Sequence, residues 1–177
     1  MVLTRTDTGE KASNFKTFGE TDIVIGDRAY CSKQGIEYLL GRKSDFLFRF
    51  GTKRFHVYNG NGRAVNILGY FKGLTPLGIG EKTLYYEYEG EYKPLRFCVM
   101  RKTKEAEEAG LEALRKTQMR KHGNKELSKA QTAYNRYVIL VTSIVDAAAE
   151  VILDLYQQRW QIELAFKRLK SLFRVCL

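Results

Sequence analysis

One helical period runs unbroken from Asp146 to about Arg174, and it constrains the rest of the chain more than any other feature. At about 100° per residue, Val151, Leu155, Ile162, Phe166, Leu169 and Phe173 fall within an arc of about 60°. This stripe is the expected packing face. The same arithmetic sets Tyr156, Arg159, Glu163 and Lys170 in a second arc of about 60°, directly beside the first. A carboxylate placed there, with Arg159 one turn before it and Lys170 two turns after it, stands where a partly desolvated site would form. Taken alone, Arg159 and Glu163 are also an ordinary i,i+4 ion pair, worth about 0.2–0.5 kcal/mol on a helix surface.

Upstream of this helix the chain alternates short β-rich runs with helical ones. Residues 1–21 are polar and without period, which reads as a loop. Ile23-Val24-Ile25 is a β-branched run of the kind buried on both faces of a sheet, stopped by Gly26 and Asp27. Ser32 caps a helix reaching about Leu40, with Gly41 as its stop, and Phe46 to Phe50 form a second strand. Hairpin-like strands follow at Arg54–Tyr58, Leu84–Tyr88 and Leu95–Met100, with an Asn59-Gly60-Asn61-Gly62 turn among them. A charged helical stretch from Lys102 to about Tyr134 breaks near Gly123. Tyr137 to Ser143 is again a strand.

Charge narrows the function. Thirty Lys and Arg against twenty Asp and Glu give a net +10 over 177 residues, a balance that attracts polyanions such as nucleic acid. No apolar run approaches the roughly twenty residues of a spanning helix, and the N-terminus lacks a signal-peptide core, so a cytoplasmic protein without a membrane partner is expected. Cys31, Cys98 and Cys176 are too widely spaced for zinc or a disulfide framework and read as reduced, partly buried apolar residues. His56 and His122 stand alone and read as non-catalytic.

The spacing Tyr156-x-x-Arg159-x-x-x-Glu163-x-x-x-x-x-x-Lys170 resembles the Tyr-Arg-Glu-Lys signature of the insertion-sequence-four (IS-four) group of DDE transposases. Val24-Ile25-Gly26-Asp27-Arg28-Ala29-Tyr30 is similar to the segment around the second catalytic aspartate of that family, where a buried strand ends in Asp followed closely by an aromatic residue. The basic helical stretch and Tyr137–Ser143 also look familial, and the resemblance covers nearly the whole chain.

The resemblance implies an α/β (α+β) fold: an incomplete RNase H-like mixed sheet with flanking helices and a β-rich insertion. It divides the chain into residues 1–51 (partial core with the second Asp), 52–136 (insertion with the basic helical segment) and 137–177 (final strand and Glu-bearing helix). Asp27 and Glu163 are then the catalytic carboxylates and metal ligands. The family's chemistry, attack of water or a DNA 3′-hydroxyl on a phosphodiester, uses two Mg²⁺ (or Mn²⁺) ions to activate the nucleophile and stabilise the leaving oxygen. Hard cations of this kind take carboxylate oxygens. Two carboxylates about 4 Å apart repel by roughly 4 kcal/mol at an effective dielectric of about 20, so their convergence would be costly without a bound cation.

By the same resemblance Tyr156, Arg159 and Lys170 contact phosphates at a transposon end, with Arg28, Lys167 and Arg174 as further DNA contacts. The partners implied are transposon ends and target DNA, and the full-length assembly implied is a homodimer. Tyr85, Tyr86 and Tyr88 could stack on bases, but an aromatic strand face is more often sheet packing, and Trp160 is more often core. The chain departs from the family at its start: Asp7 lies in no strand and Asp22 opens the strand that ends at Asp27. A first catalytic Asp is therefore missing, and this polypeptide alone is expected to bind DNA weakly and not to transpose. Three other readings stay open: a non-catalytic basic nucleic-acid-binding module; another RNase H-like nuclease, which would lack the Tyr-Arg-Glu-Lys helix; and a purely structural interaction protein, the product of a decayed gene.

Overall fold

The computed structural model describes residues 18–51, 54–123 and 126–174, with the side chains at 121, 122, 160, 163, 166, 167 and 170–174 outside that description. The elements run β1 (Ile23–Gly26), α1 (Lys33–Gly41), β2 (Asp45–Arg49), β3 (Val57–Tyr58), β4 (Ala64–Val65), β5 (Ile79–Tyr88), β6 (Glu91–Arg101), α2 (Lys104–His122), α3 (Lys129–Asn135), β7 (Tyr137–Thr142) and α4 (Ala149–Arg174), with a 3₁₀ turn at Ile67–Phe71. The strands form a single sheet in the order β1-β2-β7-β6-β5-β3-β4.

β1 and β2 pair in parallel, from Ile23 opposite Asp45 to Gly26 opposite Phe48. A parallel pair needs a crossover, and α1 supplies it. Ser32 starts α1 by accepting from the Gly35 N–H at 3.1 Å, satisfying one of the amides that a helix start leaves open. All other pairings are antiparallel, so the sheet is mixed and carries helices on both faces, as the RNase H-like resemblance implies. Strands expected of the insertion are hydrogen-bonded into the same sheet as β1 and β2, with β7 between β2 and β6. The β5–β6 hairpin turns at Glu89-Gly90, both at positive φ (51° and 85°), the conformation that matches a two-residue turn to the twist of its strands.

Side chains alternate across the sheet and define two cores. On one face Phe46, Phe48, Phe97, Val99, Ile139 and Val141 pack with Ile36 and Leu39 of α1. On the other, Leu47, Cys98 and Leu140 pack with Ala149, Ile152, Leu153 and Tyr156 of α4. Two sequence expectations need correction here. β1 is not buried on both faces: it is the outermost of the described strands, and Ile23 is 50% exposed. The packing face of α4 is not the Val151-Leu155-Ile162 stripe, because Val151, Ile162 and Leu169 are 55%, 51% and 47% exposed. The helix instead buries the face carrying Ala149, Ile152, Leu153 and Tyr156, about 120° around, because these are the residues that lie over the strands.

Candidate nucleic-acid and metal site at the end of the sheet

Asp27 follows the last residue of β1, at the carboxyl end of the parallel pair. Its Oδ1 accepts from the Ala29 N–H at 2.7 Å, a local turn that orients the half-buried carboxylate. Gly26 is required just before it. A Cβ at Gly26 would stand 2.9 Å from both Phe48 Cδ1 and Tyr30 Cβ, so any side chain there would push the aspartate's turn off the sheet.

α4 approaches this end from the opposite side of the sheet. Its start is held by Arg96 of β6, whose Nη1 donates to the Ile144 and Ala147 carbonyls at 3.0 and 2.6 Å. Two turns on, Tyr156 is buried in the sheet–α4 core, and its hydroxyl lies within electrostatic reach of the Arg28 guanidinium. Arg159 stacks its guanidinium on the Tyr156 ring, 5.8 Å from the centroid, an arrangement that fixes a cation beside an aromatic hydroxyl. The structure thus brings Asp27, Arg28, Tyr156 and Arg159 to one end of the sheet. Glu163 follows Tyr156 by seven residues along α4. The side chains of Glu163, Lys167, Lys170 and Arg174 lie outside the described residues, as do those of Trp160 and His122, and so do Asp7 and Cys176.

The surroundings are strongly basic. Arg28 is exposed as a residue, yet burial of its charged end and the neighbouring Arg49 lower its pKa, only partly offset by Tyr156 and Asp27. Lys102, just past the end of β6, is brought down to about 8 by burial and then by Arg49 and Arg28. Arg49, Arg54 and Lys102 were not singled out in the sequence. Arg49 ends β2 and Lys102 follows β6, two strands separated by β7, and no local motif marks their meeting; only the strand alternation that puts Arg49 in phase with Leu47, and Lys102 in phase with Cys98, hints at it.

Other candidates resolve into structure. Tyr86 is wholly buried and donates its hydroxyl to the Glu37 carboxylate, so it packs the core and offers no face to a base. Tyr88 carries Lys93 over its ring at 5.5 Å. Cys31 and Cys98 are buried free thiols, pushed up to about 12 and about 11 chiefly by burial, which makes them unreactive. No described helix is long and apolar enough to cross a membrane.

A sequence model of the family "Transposase DDE domain" matches residues 10–175. The chain belongs to that family. Among curated proteins it is 27% identical, over 172 residues, to a putative transposase, InsL, for insertion sequence element IS186A of Escherichia coli. It shows the same identity to the transposase for insertion sequence element IS421 of Escherichia coli. Each match covers 93% of this chain and 46% of the relative, so the chain spans about half the length of the curated relatives it matches.

Proposed function

We propose that this chain is part of the catalytic domain of an insertion-sequence transposase of the Tyr-Arg-Glu-Lys group, in which Asp27 and Glu163 share divalent cations while Tyr156, Arg159, Lys170, Arg28, Lys167 and Arg174 hold the DNA backbone. What supports the reading is that Arg28, next to Asp27, lies within electrostatic reach of Tyr156, the first signature residue, across more than a hundred positions of sequence. Asp27 fits a hard cation: it offers carboxylate oxygen at a strand end, half-buried and held by the Ala29 amide. When bound, Mg²⁺ or Mn²⁺ would lower the barrier to phosphodiester attack by stabilising charge on the reacting oxygens. The chain's own part is to present oxygen ligands from β1 and α4 and to place Arg28 and Arg159 beside them as fixed positive charge.

Among the described residues no group of three His, Cys, Asp or Glu side chains is assembled. Transposon ends and target DNA as partners, a homodimer of the full-length protein, a cytoplasmic location and the division at residues 51/52 and 136/137 rest on family membership and the sequence resemblance. The direct test is Mn²⁺ titration followed by paramagnetic broadening of amide signals. Broadening should appear at Arg28 and Ala29 and around Glu163 together, and be lost from both places in either Asp27→Ala or Glu163→Ala. Broadening confined to unrelated surface carboxylates would remove the shared site and leave a basic nucleic-acid-binding module.

A further inference from the structure

A cavity of about 600 Å³ opens where β2 ends, walled on one side by Arg28, Arg49, Arg54 and Lys102 and on the other by α2 and α3. Four cationic side chains line it, and no Asp or Glu does. Elsewhere in the molecule the basic residues near the core find carboxylates: Lys33 with Glu87, Lys93 with Glu37, Arg96 with Glu81, Arg101 with Glu107. None of the four cavity cations is ion-paired to a carboxylate among the described residues. Bringing like charges together costs free energy, and Asp27 beside Arg28 and Glu107 near Lys102 offset it only in part.

The cavity is built rather than incidental. Lys102 is half-buried and donates to Asn135 Oδ1 at 3.3 Å. Asn135 is itself buried, and its Nδ2 donates to the Glu107 carbonyl at 2.7 Å, tying α3 to α2. This approach of the two helices depends on Gly110, where a Cβ would meet Asn135 Oδ1 at 2.4 Å. The side chain of Asn135 thus presents an oxygen to the lysine and a nitrogen to the helix, which fixes the ammonium facing the two arginines. Ser128 and Gln131, also in the wall, are spent on capping α3, so the cations supply the recognition.

We propose that this cavity is a phosphate pocket for a nucleic-acid strand, in which Arg49 and Lys102 grip one backbone phosphate, Arg28 and Arg54 flank it, and the strand is delivered to Asp27. The assignment deepens the transposase reading and rests on it for the identity of the strand, but the anion chemistry stands on the cavity alone. Arginine offers paired donors to phosphate oxygens and lysine a point charge. Burial lowers Lys102 first and repulsion from Arg49 and Arg28 adds to it; the entering anion would offset the repulsion, so binding should draw its ammonium back toward the charged form.

The test uses the whole chain and a fluorescein-labelled oligo-dT, read by anisotropy, with inorganic phosphate as competitor. Arg49→Gln and Lys102→Met should each weaken oligonucleotide binding by about tenfold or more, a loss of about 1.4 kcal/mol. Each should also lower the salt dependence by about one phosphate contact. Arg120→Gln and Lys72→Met, equal charge losses at exposed positions, should cost less than about threefold. In the wild type, inorganic phosphate should compete with the oligonucleotide and shift the Gly51 amide signal; in Lys102→Met both effects should vanish. Thermal unfolding of each variant guards against misfolding, and Lys102→Met, which relieves repulsion, should melt no lower than the wild type. Equal losses in pocket and control variants would overturn the proposal. So would phosphate binding that oligo-dT fails to displace, which would make the cavity a site for free phosphate. Because Mn²⁺ broadening at Asp27 should persist in Arg49→Gln, failure of the metal site and failure of the pocket are told apart.

Discussion

On the α1 face of the sheet, Glu37 accepts hydrogen bonds from Tyr86 and from Lys93, the latter at 2.8 Å, while Glu87 accepts from Lys33 at 2.9 Å. At the end of β2, Arg28, Arg49 and Lys102 crowd around a cavity that no carboxylate lines, and Asp27 and Glu107 offset their repulsion only in part. Both regions hold polar side chains partly out of water, and they solve the problem differently. The first neutralises its charges internally and holds α1 to β5 and β6. The second leaves positive charge over, which has meaning only for something that arrives from outside. Internal pairing marks structure here, and unbalanced charge marks recognition.

That contrast can be broken from either side. The largest effect on stability is expected from Glu37→Ala, which leaves the buried Tyr86 hydroxyl without its acceptor and Lys93 without its carboxylate. It should destabilise the fold by about 1–3 kcal/mol, measured by urea unfolding, with oligonucleotide affinity unchanged. Gly110→Ala, which forces a methyl against the Asn135 amide, should cost about 1–2 kcal/mol by overpacking. Unlike Glu37→Ala, it should weaken oligonucleotide binding too, because the Asn135 oxygen orients Lys102.

The smallest effect, and the sharpest for the comparison, is in the pH dependence. For Glu37, burial pulls the pKa up, but hydrogen bonds from Lys93 and Tyr86 outweigh it and hold the carboxyl below its ordinary value. Its contribution is therefore full above the ordinary carboxylate range and is lost as pH falls through the folded value. Lys102 has the opposite sign. Lowered to about 8, it binds fewer protons folded than unfolded between there and the ordinary lysine range, so stability should rise with pH across that window. Lys102→Met should abolish the alkaline rise and leave the protein about 1 kcal/mol more stable near neutrality, in denaturation curves at matched ionic strength.

Much of the architecture is written in local pattern. Ser32 marks the start of α1, the β-branched and aromatic runs mark β1, β2 and β7, and the break near Gly123 separates α2 from α3. Asp27 and the signature on α4 are legible because their residue types stand at fixed spacing. The misreadings have physical causes. β5 begins at Ile79, earlier than expected, because Gly80, Glu81 and Lys82 carry no strand signal of their own and are recruited by pairing with Val99, Cys98 and Phe97. The face of α4 was misjudged because period alone ranks every apolar stripe equally, whereas the sheet lies only under Ala149, Ile152, Leu153 and Tyr156. The basic cavity was invisible because Arg49 and Lys102 become neighbours only through the placement of β7 between their strands.

β1 has consequences beyond its brevity. Four residues long, it is hydrogen-bonded to β2 alone among the described strands, so the aspartate hangs from a strand laddered on one side only. Whatever grips that carboxylate would also steady the outer strand of the described sheet. Occupancy and local order then become one quantity, and a ligand at a hundred times its dissociation constant would lend the edge about 2.7 kcal/mol it does not have alone.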